Sequence, residues 1–254
     1  MNYKRFNLIC VVLIIFFVVG NFWVWRDRGV VEEVIVELEV VKYVEIMEEI
    51  SEPIIEVEEE ITEVPVVVFQ KSEINLDVPF TSQAPELNWE QPWQDACEEA
   101  AILMLDAYYK DYGLSPIFSR DEILKMVEWE ENKNWGTSIG VKRVGELAGW
   151  YLGRSMSVVE NPTVEQIKNY ISNGHPVLVL ANGKDLPNPY FSGEGPDYHA
   201  LVIRGYTEDK FITNDPGTRR GENFAYNYND LINAIHDWNG GDEENGRKVG
   251  TSHH

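Results

Sequence analysis

The chain has 254 residues, and 43 Asp and Glu against 21 Lys and Arg leave a formal net charge of −22. A surface this acidic repels phosphate and excludes a nucleic-acid partner. An apolar fraction of 44% with 8 Trp excludes a chain disordered throughout, and two cysteines, Cys10 and Cys97, exclude a disulfide scaffold or a cysteine zinc site.

Composition divides the chain into segments 1–25, 26–73, 74–240 and 241–254. Leu8 to Trp25 contains one strongly polar residue, Asn21, and at a helical rise it would cover about 27 Å, enough to cross a bilayer. Lys4 and Arg5 precede it, Trp23 and Trp25 suit an interfacial belt, and no small-x-small cleavage site follows the apolar run. The expectation is an uncleaved signal anchor that is a single transmembrane helix. The alternative is a cleaved signal peptide, because the uninterrupted apolar core ends at Val19. Cys10 precedes most of the apolar stretch and does not suit lipidation. From Arg26 to Glu73 there are 15 acidic residues against 4 basic, with Glu alternating with Val and Ile. Like-charge repulsion, with Pro53 and Pro65 as interruptions, predicts an extended acidic stalk. No calcium-loop spacing occurs in it.

Ile74 to Gly240 carries the periodicities of a folded domain. Asn75–Phe80 reads as a strand leading to Thr81-Ser82-Gln83 and an aromatic-rich loop to Trp93. Asp95-Ala96-Cys97-Glu98 has the form of a capping box, with Asp95 as N-cap, opening a helix to about Tyr109 with Cys97 on its buried side. Helices follow at about Asp121–Glu130 and Val141–Tyr151, then a short strand Ser155–Val159 and a helix Thr163–Ser172 ended by Asn173-Gly174. A buried strand Pro176–Leu180 comes next. His199–Tyr206 and Lys210–Thr213 form a hairpin ending in the turn Asn214-Asp215-Pro216-Gly217, and Asn229–Trp238 is a final amphipathic helix. Helices mostly precede strands, which argues for α+β. Gly241–His254 reads as a loose tail, and its His253 and His254 are left out of the chemistry.

One constellation has the composition of a thiol hydrolase. Such chemistry needs a thiol, an imidazole to take its proton, a group to orient the imidazole, and donors for an oxyanion. Gln83, Cys97, His199 and Asp215 offer these in order, and adjacent antiparallel strands would bring His199 and Asp215 together. In the first turn of a helix, Cys97 gains from the helix dipole, which lowers a thiol pKa. Asp95, Glu98 and Glu99 oppose it, so a positive partner such as protonated His199 is required. The competing reading makes Cys97 a core residue, His199 a semi-buried histidine and Asp215 a conformational turn residue. His175 beside Pro176 reads as a turn residue, and His236 is placed in the last helix.

Val78-Pro79-Phe80-Thr81-Ser82-Gln83, Ala96-Cys97-Glu98-Glu99-Ala100-Ala101, Tyr198-His199-Ala200-Leu201-Val202-Ile203 and Thr213-Asn214-Asp215-Pro216-Gly217 form one ordered series. Together they resemble the papain-like cysteine peptidases related to bacteriocin-leader peptidases, in the stand-alone, family thirty-nine-like branch. The resemblance spans Ile74 to Gly240. It implies a papain-like fold, with an N-terminal Cys-bearing helix on a mostly antiparallel sheet. It also implies Cys97 as nucleophile, His199 as general base, Asp215 as its orienting residue and Gln83 as oxyanion donor. Gln91 or Gln94 is an alternative donor and Asn214 an alternative orienting residue. The chain departs from the pattern in having Ala96 and Glu98, rather than Gly, beside the cysteine. Without a nucleotide-binding loop, processing of double-glycine leaders is not expected.

The resulting expectation is a bacterial, membrane-anchored, extracytoplasmic cysteine peptidase or amide hydrolase acting on a peptide or protein substrate without a metal or cofactor. Nothing in the sequence bears on oligomeric state. Two alternatives are a non-catalytic envelope module binding peptide or cell-wall polymer, and a thiol acyltransferase or transglutaminase. Trp89, Trp93 and Trp135 are contact candidates for the binding module, although core or groove-wall packing is the favoured reading of them.

Overall fold

The structure is a computed structural model that describes residues 72–240 and 249–252. The expected anchor at 8–25, with Cys10, lies outside them. So do the expected stalk up to residue 71, residues 241–248, and His253 and His254. Among the described residues no helix is long and apolar enough to cross a membrane.

Helices and an antiparallel sheet alternate along the domain. Strand β1 is Ile74–Asn75, followed by a 3-10 turn at Trp93–Asp95 and helices α1 (Cys97–Lys110), α2 (Pro116–Asn132) and α3 (Val141–Leu152). Then come β2 (Ser157–Glu160), α4 (Val164–Ser172), β3 (Val177–Ala181), β4 (His199–Tyr206), β5 (Lys210–Asn214), β6 (Phe224–Asn227), α5 (Tyr228–Ala234) and β7 (Val249–Ser252). The sheet order is β2-β7-β3-β4-β5-β6, all antiparallel, with β1 added to the far end of β4.

The two central strands are buried along their whole length, which is why β3 and β4 read as continuous apolar runs. Their period of two sends alternate side chains to opposite faces. Leu178, Leu180, Ala200 and Val202 pack with Ala100, Leu103 and Met104 of α1 and with buried residues of α2 and α3. Val177, Val179, Leu201 and Ile203 pack instead with Ile167 and Ile171 of α4 and with Leu231 and Ala234 of α5. The sheet is therefore covered on both faces, and α1 lies directly over the central strands.

Local signals account for most boundaries. Ser115 caps α2 by accepting from Phe118 N at 3.3 Å, with Pro116 at its first position. Thr163 and Gln166 form a reciprocal capping box on α4 at 3.2 and 2.9 Å.

Several boundaries differ from expectation. The strand expected over Asn75–Phe80 ends at Asn75. Pro79 has no N–H for a ladder, and the carbonyls of Val78 and Pro79 accept from the Asn214 side chain at 2.9 and 3.3 Å. The last helix stops at Ala234, because Ile235 turns extended and bridges to Ala181; His236 thus lies beyond the helix. Asp237 then accepts from the N–H of Val141 at 2.7 Å, at the start of α3. Strand β6, in which Phe224 and Tyr226 turn inward and Ala225 and Asn227 are exposed, was not among the expected elements. The tail read as loose contains β7, which lies between β2 and β3 and hydrogen-bonds to both.

Candidate active site

Cys97 is the first residue of α1 and is 3% exposed. The expected capping box is absent. Asp95 belongs to the preceding 3-10 turn and accepts from Gln91 Nε2 at 2.6 Å, while Ala96 is the N-cap residue and offers no side-chain bond. Helix geometry leaves the first N–H groups, that of Cys97 included, without intrahelical acceptors.

His199 opens β4 and Asp215 follows the last residue of β5, so the antiparallel pairing of these strands brings them together as the sequence predicts. His199 Nε2 lies 2.7 Å from Asp215 Oδ1, and the two residues are 2% and 0% exposed. Bonding through Nε2 leaves Nδ1 as the nitrogen available to a thiol. Three further donors hold the carboxylate. Tyr226 Oη donates to Oδ2 at 2.6 Å, Asn188 Nδ2 to Oδ2 at 3.0 Å, and Gly217 N to Oδ1 at 3.0 Å. Burial pushes Asp215 up, but the His199 charge and the bonds from His199, Tyr226 and Gly217 outweigh it, and the net direction is down. Phe191 stands edge-on to the imidazole, with centroids 5.3 Å apart. Asn188, Tyr226 and Phe191 were not anticipated, since nothing in their local sequence marks them; they reach the site through loop and strand placement.

Asn214 is directed elsewhere. Its amide donates to Val78 O and Pro79 O, and its oxygen accepts from Arg204 Nη1 at 3.2 Å and Asn223 N at 3.3 Å. Of the two candidates for orienting His199, Asp215 is the one that bonds to it.

Gln83, Cys97 and His199 line one cavity of about 610 Å³, together with Gln94 and Tyr198. Gln83 is buried, and its Nε2 donates to Trp93 O at 3.0 Å and Gln94 O at 2.9 Å, the carbonyls just ahead of α1. Both amide hydrogens are thus engaged, and Oε1 is buried without a partner. Gln83 braces the approach to Cys97, and an oxyanion would have to recruit one of its hydrogens. Gln94 contributes its carbonyl to this brace. Gln91 lies at a neighbouring cavity, bonded to Asp95. Trp93 is buried in the core, Trp135 packs against it, and Trp89 is exposed at the cavity mouth.

The thiol departs from the expected acidity. Cys97 Sγ donates to Glu98 Oε2 at 3.2 Å, and among the described residues no hydrogen bond joins it to His199. Burial, the Glu98 charge, that hydrogen bond and Glu99 all push the thiol up, against a smaller lowering from the Ala200 backbone. The helix-dipole expectation is therefore overridden by desolvation and two neighbouring carboxyls. Glu98 is fully buried. Tyr198 Oη donates to Ile139 O at 2.9 Å and lies 3.3 Å from Glu98 Oε1.

The sequence match to the Peptidase_C39 like family spans residues 75–240. The chain belongs to this family. Membership places this C39-like chain among papain-like cysteine peptidases, and its mixed helix and antiparallel-sheet architecture agrees with that. A crystal structure described as a C39-like peptidase from Bacillus anthracis matches 71% of this chain and 96% of its own, with 15% identity and a TM-score of 0.48. No curated protein matches the chain.

Proposed function

We propose that the protein is a membrane-anchored, extracytoplasmic cysteine peptidase or amide hydrolase in which Cys97, His199 and Asp215 act as a triad. The observation that carries this is the buried His199–Asp215 bond of 2.7 Å at the cavity that Cys97 also lines. The thiol exchanges Glu98 for His199 Nδ1, gives up its proton there and attacks the substrate carbonyl carbon. The resulting oxyanion is met by the free N–H of Cys97 and by an amide hydrogen of Gln83. Collapse of the tetrahedral intermediate breaks the C–N bond. His199 delivers the proton to the departing amine and leaves a thioester on Cys97. His199 then takes a proton from water, which attacks the thioester and releases the acid and the thiol. Asp215 keeps the imidazole in the tautomer with hydrogen on Nε2. An amine in place of water would give acyl transfer from the same intermediate.

Anchoring rests on the apolar segment 8–25, and the acidic segment 26–73 suits a tether that holds residues 74–240 away from an anionic surface. A binding-only module is the second reading, favoured by the hydrogen bond that turns the thiol to Glu98. The two separate on treatment with a peptidyl chloromethyl ketone and mapping of the adduct by mass spectrometry. A peptidase labels at Cys97, and Cys97→Ala and His199→Gln abolish labelling at that site without loss of the fold. Labelling of Cys97 no faster than in the urea-unfolded chain refutes the triad.

A further inference from the structure

A second cavity, of about 490 Å³, adjoins the first, and Asp95 lines both. Its walls include Glu99 from α1, two residues beyond Cys97, and Glu130 from α2, with Val127 and Trp135 supplying apolar surface. Glu99 is 2% exposed and Glu130 4%, and each retains one carboxyl oxygen, Oε2 and Oε1 respectively, without a hydrogen-bond partner. Among the described residues no Lys, Arg or His forms an ion pair with either one. Orphaned buried oxygens are costly, because the water they give up is not replaced by a partner. Two of them at a partly apolar cavity beside the one that Cys97 lines suit a ligand that completes the bonding.

We propose that this cavity is a subsite for a cationic side chain, lysine or arginine, of the peptide substrate; the inference rests on the peptidase reading above. A lysine stem packs along Val127 and Trp135 while its ammonium donates to the carboxyls of Glu99 and Glu130, and Asp95 adds charge at the junction with the cleft. An arginine reaches the same carboxyls through its guanidinium. A carboxylate side chain is repelled, and an uncharged one leaves the two oxygens unbonded.

The electrostatics suit a cationic ligand. Burial pushes Glu99 up, with Glu98, Glu130 and Asp95 adding to it, and burial pushes Glu130 up to about 8. A bound ammonium reverses that balance and favours the ionised forms.

The test uses the full chain carrying Cys97→Ala, in detergent, and fluorescein-labelled Ala/Gly peptides with one lysine, norleucine or glutamate moved along the sequence. Fluorescence anisotropy gives the affinities. At one position lysine is expected to bind at least about tenfold more tightly than norleucine, and glutamate more weakly than either. Adding Glu99→Gln and Glu130→Gln is expected to bring the lysine-to-norleucine ratio to within about twofold. Equal binding of lysine and norleucine at every position overturns the subsite. So does a lysine preference that survives both substitutions in a folded protein. If the Gln variants do not fold, the three-peptide comparison on the unaltered cavity decides alone. Absence of cleavage by the chain with its native Cys97, alongside a retained lysine preference, refutes the peptidase reading and leaves the subsite standing.

Discussion

Gly217 offers a direct perturbation of the geometry around His199. A Cβ built there lies 2.8 Å from His199 Cε1, 3.0 Å from Phe191 Cε1 and 3.3 Å from Asp215 Oδ1. The backbone at this position is not left-handed, so alanine meets no conformational penalty and acts through these contacts alone. Carbon atoms pack comfortably at about 3.5 Å or more, so the imidazole has to retreat by about 0.7 Å. Asp215 cannot follow it, being held by Tyr226, Asn188 and the Gly217 N–H as well as by His199. The displacement therefore appears as misalignment of His199 with Asp215 on one side and with the thiol on the other. Misplacement on this scale costs up to about a hundredfold in rate, and the overpacking costs about 1–3 kcal/mol of stability. Gly217→Ala is accordingly expected to slow chloromethyl ketone labelling of Cys97 by about 10- to 100-fold. Gly113→Ala, where a Cβ meets nothing within 4 Å, serves as the control and is expected to label at the native rate. Thermal melts run alongside confirm that both variants are folded. Equal labelling rates for the two variants would refute the argument, because the contact would then be relieved without moving the imidazole.

Other consequences follow from the same network. Asp215 is held below the ordinary carboxylate range, so its contribution to stability is present above that range and is lost as pH falls through the lower folded value. Asp215→Asn should therefore flatten the fall in stability below about pH 4, measured by urea unfolding, and an unchanged acid slope would contradict the assignment. Glu98 pushes the Cys97 thiol up through its charge and its hydrogen bond, so Glu98→Gln should lower the thiol pKa. Iodoacetamide should then alkylate Cys97 about tenfold faster near pH 9; a slower reaction would reverse the sign. Truncation after Gly240 removes β7 from between β2 and β3. Loss of its ladder bonds should destabilise the chain by on the order of 3–5 kcal/mol, and a melting temperature equal to that of the intact chain would show that the strand is dispensable.

Legibility in the sequence tracks how local each signal is. The helix start at Val164 and the buried runs of β3 and β4 were readable, since capping chemistry and apolar periodicity act within a few residues; the start of α2 at Pro116, capped by Ser115, was not, since the expected helix began only at Asp121. The meeting of His199 with Asp215 was readable too, because a tight hairpin fixes the register of its two strands. Contacts made at long range were not. Val249–Ser252 is a short polar segment whose strand conformation comes from the vacancy between β2 and β3 rather than from its own pattern. Asn188 and Tyr226 reach Asp215 from 27 and 11 positions away, and no spacing rule marks them. The rise in the thiol pKa was half-visible. The neighbouring acids stood in the sequence, but the burial that lets them outweigh the dipole did not.

That balance determines what His199 must do. A helix N-terminus stabilises an anion by about 0.3–2 kcal/mol. Here burial and the carboxyls of Glu98 and Glu99 act in the opposite direction and prevail, since the thiol is pushed well above its ordinary value. Among the described residues, the cavity lining has no Lys or Arg. Asp95 and Asp197 add further negative charge at its edge, and His199 is the one lining residue able to become cationic. A thiolate at Cys97 is therefore sustainable only as an ion pair with protonated His199. The four bonds that hold Asp215 ionised and in place thus bear on the nucleophile as much as on the base. Under the proposed triad, reactivity would be gated by proton transfer between two side chains, with Asp215 fixing one partner and Glu98 retaining the other until a substrate is in place.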